Sequence, residues 1–221
     1  MHLSDARDLV SGLAVITTVL QFLSGTLVCK QYVKNQTTAE SSPLPFLCGV
    51  LSCALWLLYG LTKHDDKIVL VNTIGVSLMA SYTLVFYVYT FKKSSLLKQI
   101  FLTVLVSIFF IGYVTFEEDN DLLLSRLGLI ACSLTLITIA APMSKLVYVL
   151  KVKNTECLPF PMILMSFFVS ALWFLYGLIE EDPYLILPNF IGAVLAASQL
   201  SLFLIYPRNP QSPSFTKSIL A

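Results

Sequence analysis

Seven times along this chain some twenty residues pass with few or no charges, and short connections between them hold most of the charge. The stretches run roughly over 8–28, 43–62, 68–91, 99–116, 127–150, 158–179 and 184–206. A helix rises about 1.5 Å per residue, so each is long enough, or nearly so, to cross about 30 Å of hydrocarbon. Of 221 residues, 57% are hydrophobic and 12% charged, against about a quarter charged in soluble domains. One aqueous core cannot hide that much apolar surface. The predicted fold class is an all-α membrane protein of seven transmembrane helices.

The rest of the composition mainly excludes. The net charge of +1 gives no sign of a nucleic-acid partner. Cys29, Cys48, Cys53, Cys132 and Cys157 show no CxxC spacing and lie in or beside apolar runs, so they are expected to pack rather than bind metal. Neither a cofactor nor an enzymatic activity is expected. The first eight residues carry two aspartates against one arginine, so no cleaved signal peptide is expected.

An internal duplication orders the seven stretches. Ala54-Leu55-Trp56-Leu57-Leu58-Tyr59-Gly60-Leu61 returns as Ala171-Leu172-Trp173-Phe174-Leu175-Tyr176-Gly177-Leu178, a shift of 117 positions. The same shift carries Asn72 onto Asn189, Gly75 onto Gly192, Phe86 onto Phe203 and Tyr89 onto Tyr206. One register held that far is a repeat of a structural unit. Residues 8–91 and 127–206 are then two three-helix bundles, 99–116 is a linking span, and 207–221 is a short tail. Two three-span units joined directly would face opposite ways; the single extra crossing makes them parallel.

Lysine and arginine placement sets the expected orientation. With the amino terminus outside (lumenal) and the carboxyl terminus cytoplasmic, ten of the fourteen basic residues fall inside, leaving Arg7, Lys63, Lys67 and Arg126 outside. That choice also requires an odd number of spans. No sorting signal stands out; the expected compartments are the plasma membrane, the Golgi or both.

Asn72 and Asn189 follow the outer loops at 63–67 and 180–182 by five to seven residues, which sets them roughly 8–10 Å into the membrane. Trp56 and Trp173 reach a similar depth on the preceding helices. Arranged about a twofold axis, the four would line one cavity suited to a neutral polyol. A carboxamide offers donors and an acceptor to hydroxyls, and an indole offers a flat face to C–H groups. The bland alternative is interhelical glue for the asparagines and interface anchoring for the tryptophans. No Asp, Glu, Arg or His lies mid-segment, which favours uncoupled, downhill movement of an uncharged solute.

Helix breakers supply candidate moving parts. Pro142 and Pro188 lie inside segments, while Pro43, Pro45, Pro159 and Pro161 lie at segment ends, where prolines also mark helix starts.

These residues resemble the SWEET family of sugar uniporters, animal members more than plant ones. The resemblance rests on the duplicated three-span unit, the W-x-x-Y-G strings, Asp182-Pro183 followed by Pro188-Asn189, and the K-x-K-N-T run at 151–155. SWEET proteins are themselves a standard example of parallel transporter repeats. The resemblance implies a substrate pocket of Asn72, Asn189, Trp56 and Trp173 and an outer gate near Tyr59, Tyr176 and Asp182. It also implies an inner hinge of four prolines, three of which match as Pro45, Pro142 and Pro159; the fourth position is Gly25. The expected partners are a small neutral sugar and the bilayer, with homo-oligomers compatible but not required. The alternatives are a carrier of another neutral metabolite, in the manner of PQ-loop proteins, and a non-transporting seven-span receptor or trafficking adaptor.

Overall fold

A computed structural model describes residues 3–39 and 41–208. Of the tail expected at 207–221, residues 209–221 lie outside the described residues, as does Glu40. Among the described residues all regular structure is helical: α1 (Leu3–Leu23), α2 (Gly25–Asn35), α3 (Leu44–Lys63), α4 (Asp66–Tyr89), α5 (Lys93–Phe116), α6 (Asn120–Thr138), α7 (Ala140–Val152), α8 (Phe160–Ile179) and α9 (Pro183–Ile205). These helices make seven spans long and apolar enough to cross a membrane, because α1 with α2 and α6 with α7 each form one span, Asp5–Asn35 and Asn120–Val152.

Those two spans exceed the apolar stretches expected at 8–28 and 127–150. Hydropathy stops at a charge, whereas helical hydrogen bonding runs on to a cap. Asp119 accepts from the amides of Asp121 and Leu122 at 3.1 and 3.0 Å, which starts α6 well before the apolar run. At the other end of the first long span, α2 carries Lys30 and Lys34 in its last two turns.

Cα packing divides the described residues into two compact units. One comprises Thr18–Leu134; the other comprises the chain up to Thr17 together with Thr135 onward. The dividing residues Thr17 and Leu134 stand 117 positions apart, so both long spans are cut at the same register. Packing units and sequence repeats are therefore different divisions of the chain.

Within the first unit, α4 packs along α3 and α2, and α5 packs on α3. Cys29, Tyr32, Phe46, Leu47, Tyr82, Phe86 and Leu96 close its core. Leu96 is the only residue α5 buries, and Phe101, Leu105, Ile108 and Phe109 stay exposed, a surface that suits hydrocarbon. Within the second unit, α9 packs along α8 and α7 over Tyr148, Val149, Leu158, Ile163, Ala196 and Leu202.

Small residues allow the closest approaches. A Cβ on Gly60 would lie 2.8 Å from Ile68 Cγ2, and one on Gly177 would lie 3.0 Å from Leu185 Cβ. The glycine of each W-x-x-Y-G string thus lets the second helix of its repeat touch the third beside the turn that joins them.

Candidate functional site

Each repeat builds its candidate site from the same parts in the same order. An aspartate caps the third helix: Asp65 Oδ1 accepts from the amides of Lys67 and Ile68 at 3.0 and 3.1 Å. Its mate Asp182 does the same for Tyr184 and Leu185 at 3.0 and 3.2 Å. Their own amides bond back to the carbonyls of Gly60 and Gly177, both at 2.9 Å. Both aspartates are buried. These bonds fix the helix–helix turn, and with it where the third helix begins. Removing either cap, as Asp65→Ala or Asp182→Ala, is expected to cost about 0.5–2 kcal/mol, measured as a lower melting temperature in detergent.

From that start, Asn72 is the seventh residue of α4 and Asn189 the seventh residue of α9. Their side chains are held alike: Asn72 Nδ2 donates to Ile68 O at 2.9 Å, and Asn189 Nδ2 donates to Leu185 O at 2.8 Å. Both are half-buried. Tying one N–H to the helix's own backbone fixes the amide plane. It leaves a second N–H and the carbonyl oxygen in each copy, one donor and one acceptor, for a ligand.

The tryptophans sit one helix earlier, each against the tyrosine three residues on. Trp56 and Tyr59 meet edge to face with centroids 5.5 Å apart at 86°, and Trp173 and Tyr176 meet at 5.7 Å and 78°. Tyr59 and Tyr176 are almost wholly buried; Trp173 is buried and Trp56 half-buried. Such pairs hold an indole in one orientation. Within each packing unit the fold therefore sets a fixed indole and a fixed carboxamide on adjacent, closely packed helices.

The hinge candidates separate into three kinds. Gly25 opens α2 and Pro142 is the third residue of α7, each at a break within a long span. Pro45 is the second residue of α3 and Pro159 the cap of α8, so both stand at helix starts. Pro188, buried inside α9, removes one backbone donor but does not divide the helix, which runs on to Ile205.

Asp65 was not among the gate candidates, although the 117-residue shift identifies it as the mate of Asp182. Arg7, on α1, forms an ion pair with Glu180 at 2.5 Å, a contact between residues too far apart for any local pattern to reveal. A cleft of about 510 Å³ among Thr37, Ser42, Pro43, Thr90, Lys92 and Gln99 contains none of the candidate pocket or gate residues.

Comparison with known proteins follows the same repeat. The profile of the MtN3/saliva family, described as "Sugar efflux transporter for intercellular exchange", matches twice, at residues 8–94 and 125–211. The chain is 41% identical over 204 residues to Sugar transporter SWEET1 of Drosophila pseudoobscura pseudoobscura, covering 91% of this chain and 90% of that one. It is 28% identical over 227 residues to Bidirectional sugar transporter SWEET7 of Arabidopsis thaliana, covering 100% and 86%. A eukaryotic SWEET transporter solved at 3.7 Å superposes with a TM-score of 0.77 at 26% identity, over 90% of this chain and 97% of that one.

Proposed function

We infer from one premise, that the chain belongs to the SWEET family of sugar transporters, that it is an integral, multi-pass membrane protein carrying sugars downhill. It is a transporter and not an enzyme. Family membership sets aside the receptor and adaptor alternatives.

The sugar is gripped by equivalent side chains of the two repeats: Asn72 and Asn189 through hydroxyls, Trp56 and Trp173 through C–H faces. The observation that supports this best is the matched tethering of the two asparagines to Ile68 and Leu185. It leaves the same pair of hydrogen-bonding groups in each copy. Tyr59, Tyr176 and the capping aspartates form the gate on the side of the α3–α4 and α8–α9 turns. That side is the outside (lumenal), because the lysines concentrate at the other ends of the spans. The protein resides in the plasma membrane, the Golgi or both, and one chain suffices for a pathway.

Transport proceeds by alternating access. The repeats rock about the breaks in their first spans and expose the sugar to one side at a time. The test is uptake of radiolabelled glucose by purified protein in liposomes. Saturable uptake that neutral amino acids do not inhibit is expected; competition by amino acids would shift the substrate class to that of PQ-loop carriers. Flux is further expected to be unchanged by an imposed pH gradient or membrane potential, since no charged group stands mid-span. Accumulation of sugar above the outside concentration under a proton gradient would contradict uniport.

A further inference from the structure

The two mid-span breaks occupy one register of the repeat but are made of different residues. The 117-residue shift carries Gly25 onto Pro142. It also carries Tyr82, on the third helix of the first repeat, onto Gln199, on the third helix of the second. Each of these side chains donates to backbone beside the break in its own repeat. Tyr82 Oη donates to Phe22 O at 3.2 Å, and Gln199 Nε2 donates to Pro142 O at 2.8 Å. A break frees backbone groups that hydrocarbon cannot satisfy, so a side chain bonding there stabilises the bend itself.

In the first repeat the chain turns at Ser24. Leu27 N bonds to Ser24 O, three residues back, and Ser24 Oγ donates to Gln21 O at 2.6 Å. The Tyr82 ring fills the volume that a side chain at position 25 would need. A Cβ on Gly25 would lie 2.4 Å from Tyr82 Cε2 and 2.8 Å from Cδ2. The ring cannot withdraw, because it is buried and packs on Phe46 at 5.8 Å beside Tyr32 and Phe86. In the second repeat the break needs no ring. Pro142 has no amide to continue the ladder, and the registers of Tyr32 and Phe46 hold the smaller Val149 and Ile163.

We propose that Gly25 with Tyr82 and Pro142 with Gln199 are two matched hinge pairs. In each, a third-helix side chain positions the bend of the first span, and the pairs are not interchangeable residue by residue. Resting on the alternating-access reading above, Tyr82 and Gln199 are positioning residues for transport. They do not touch sugar: Tyr82 lies ten residues beyond Asn72 along α4, about 15 Å. The missing fourth hinge proline is thus replaced by a glycine that depends on a tyrosine.

Three variants test this in liposomes and in detergent. G25P, which drives a side chain into the ring, is expected to lower maximal glucose flux about tenfold or more and to lower the melting temperature. The double variant G25P/Y82Q, which installs the second repeat's pair in the first, is expected to melt higher than G25P and to recover much of the flux. Y82F keeps the ring and loses only the hydroxyl. It is expected to cut maximal flux about fivefold, with half-saturation unchanged and folded yield retained. A double variant melting no higher than G25P overturns the pairing, as does a G25P protein with wild-type flux and melting. Wild-type flux in Y82F overturns the positioning role. Should the wild type itself move no glucose, the transport reading fails, while the melting comparison still decides whether the residues are matched.

Discussion

Replacing Asn72 or Asn189 by alanine is expected to lower glucose flux about a hundredfold, with the protein folded and at normal abundance. Each amide has one N–H committed to its own helix and one donor and one acceptor left for sugar. Two hydrogen bonds of about 1–1.5 kcal/mol each amount to a factor of roughly 30–150 in binding. The tether lost on mutation is a local bond to a carbonyl four residues back, so its removal costs about 1 kcal/mol at most. Loss of transport should therefore far outweigh loss of stability. The decisive comparison is flux per folded molecule alongside melting temperature. Normal flux with lowered melting in both variants would make these asparagines structural glue.

A second large effect is expected where the third helix meets its neighbours three residues beyond each asparagine. A Cβ on Gly75 would lie 2.6 Å from Cys53 Sγ and 2.8 Å from Phe22 Cε2, so it is blocked on two sides. A Cβ on Gly192 would meet only Ser170, with Oγ at 2.8 Å and Cβ at 3.4 Å. A serine hydroxyl can rotate aside, whereas a sulfur opposed by an aromatic ring cannot be relieved by one rotation. Gly75→Ala is accordingly expected to destabilise by about 1–3 kcal/mol, and Gly192→Ala by less. Adding Cys53→Ala to Gly75→Ala should return part of the loss, because the sulfur is one of the two obstacles. Melting temperatures of the three variants and the wild type in one detergent check this; equal losses at the two glycines would mean the repeats are packed alike here.

The spans were legible in the sequence because crossing a membrane imposes a run of apolar residues that no local contact can override. The duplicated register is legible in the chain itself, and it alone pairs Asn72 with Asn189 and Trp56 with Trp173. What sequence pattern could not show depends on residues far apart in the chain. Pro142 announces a break by its own chemistry, but Gly25 breaks its span beside Tyr82, whose bond to Phe22, sixty positions away in the chain, no periodicity encodes. Pro188 illustrates the converse. It reads as an interior breaker, yet α9 passes through it. Asp65 is inconspicuous in the sequence because it lacks the proline that follows Asp182, although both aspartates cap their helices in the same way. The division of both long spans at Thr17 and Leu134 was equally hidden, since hydropathy carries no information about which helices a stretch packs against.

The chain contains two tryptophans, Trp56 and Trp173, and both belong to the proposed grip. Their fluorescence is therefore a direct report on it. In Trp56→Phe and Trp173→Phe, each left with one indole, titration with glucose is expected to give a saturable emission change from either tryptophan. Asn72→Ala or Asn189→Ala, added to either background, should abolish it. Glucose uptake proceeding normally while neither indole responds would contradict a sugar held by equivalent residues of both repeats.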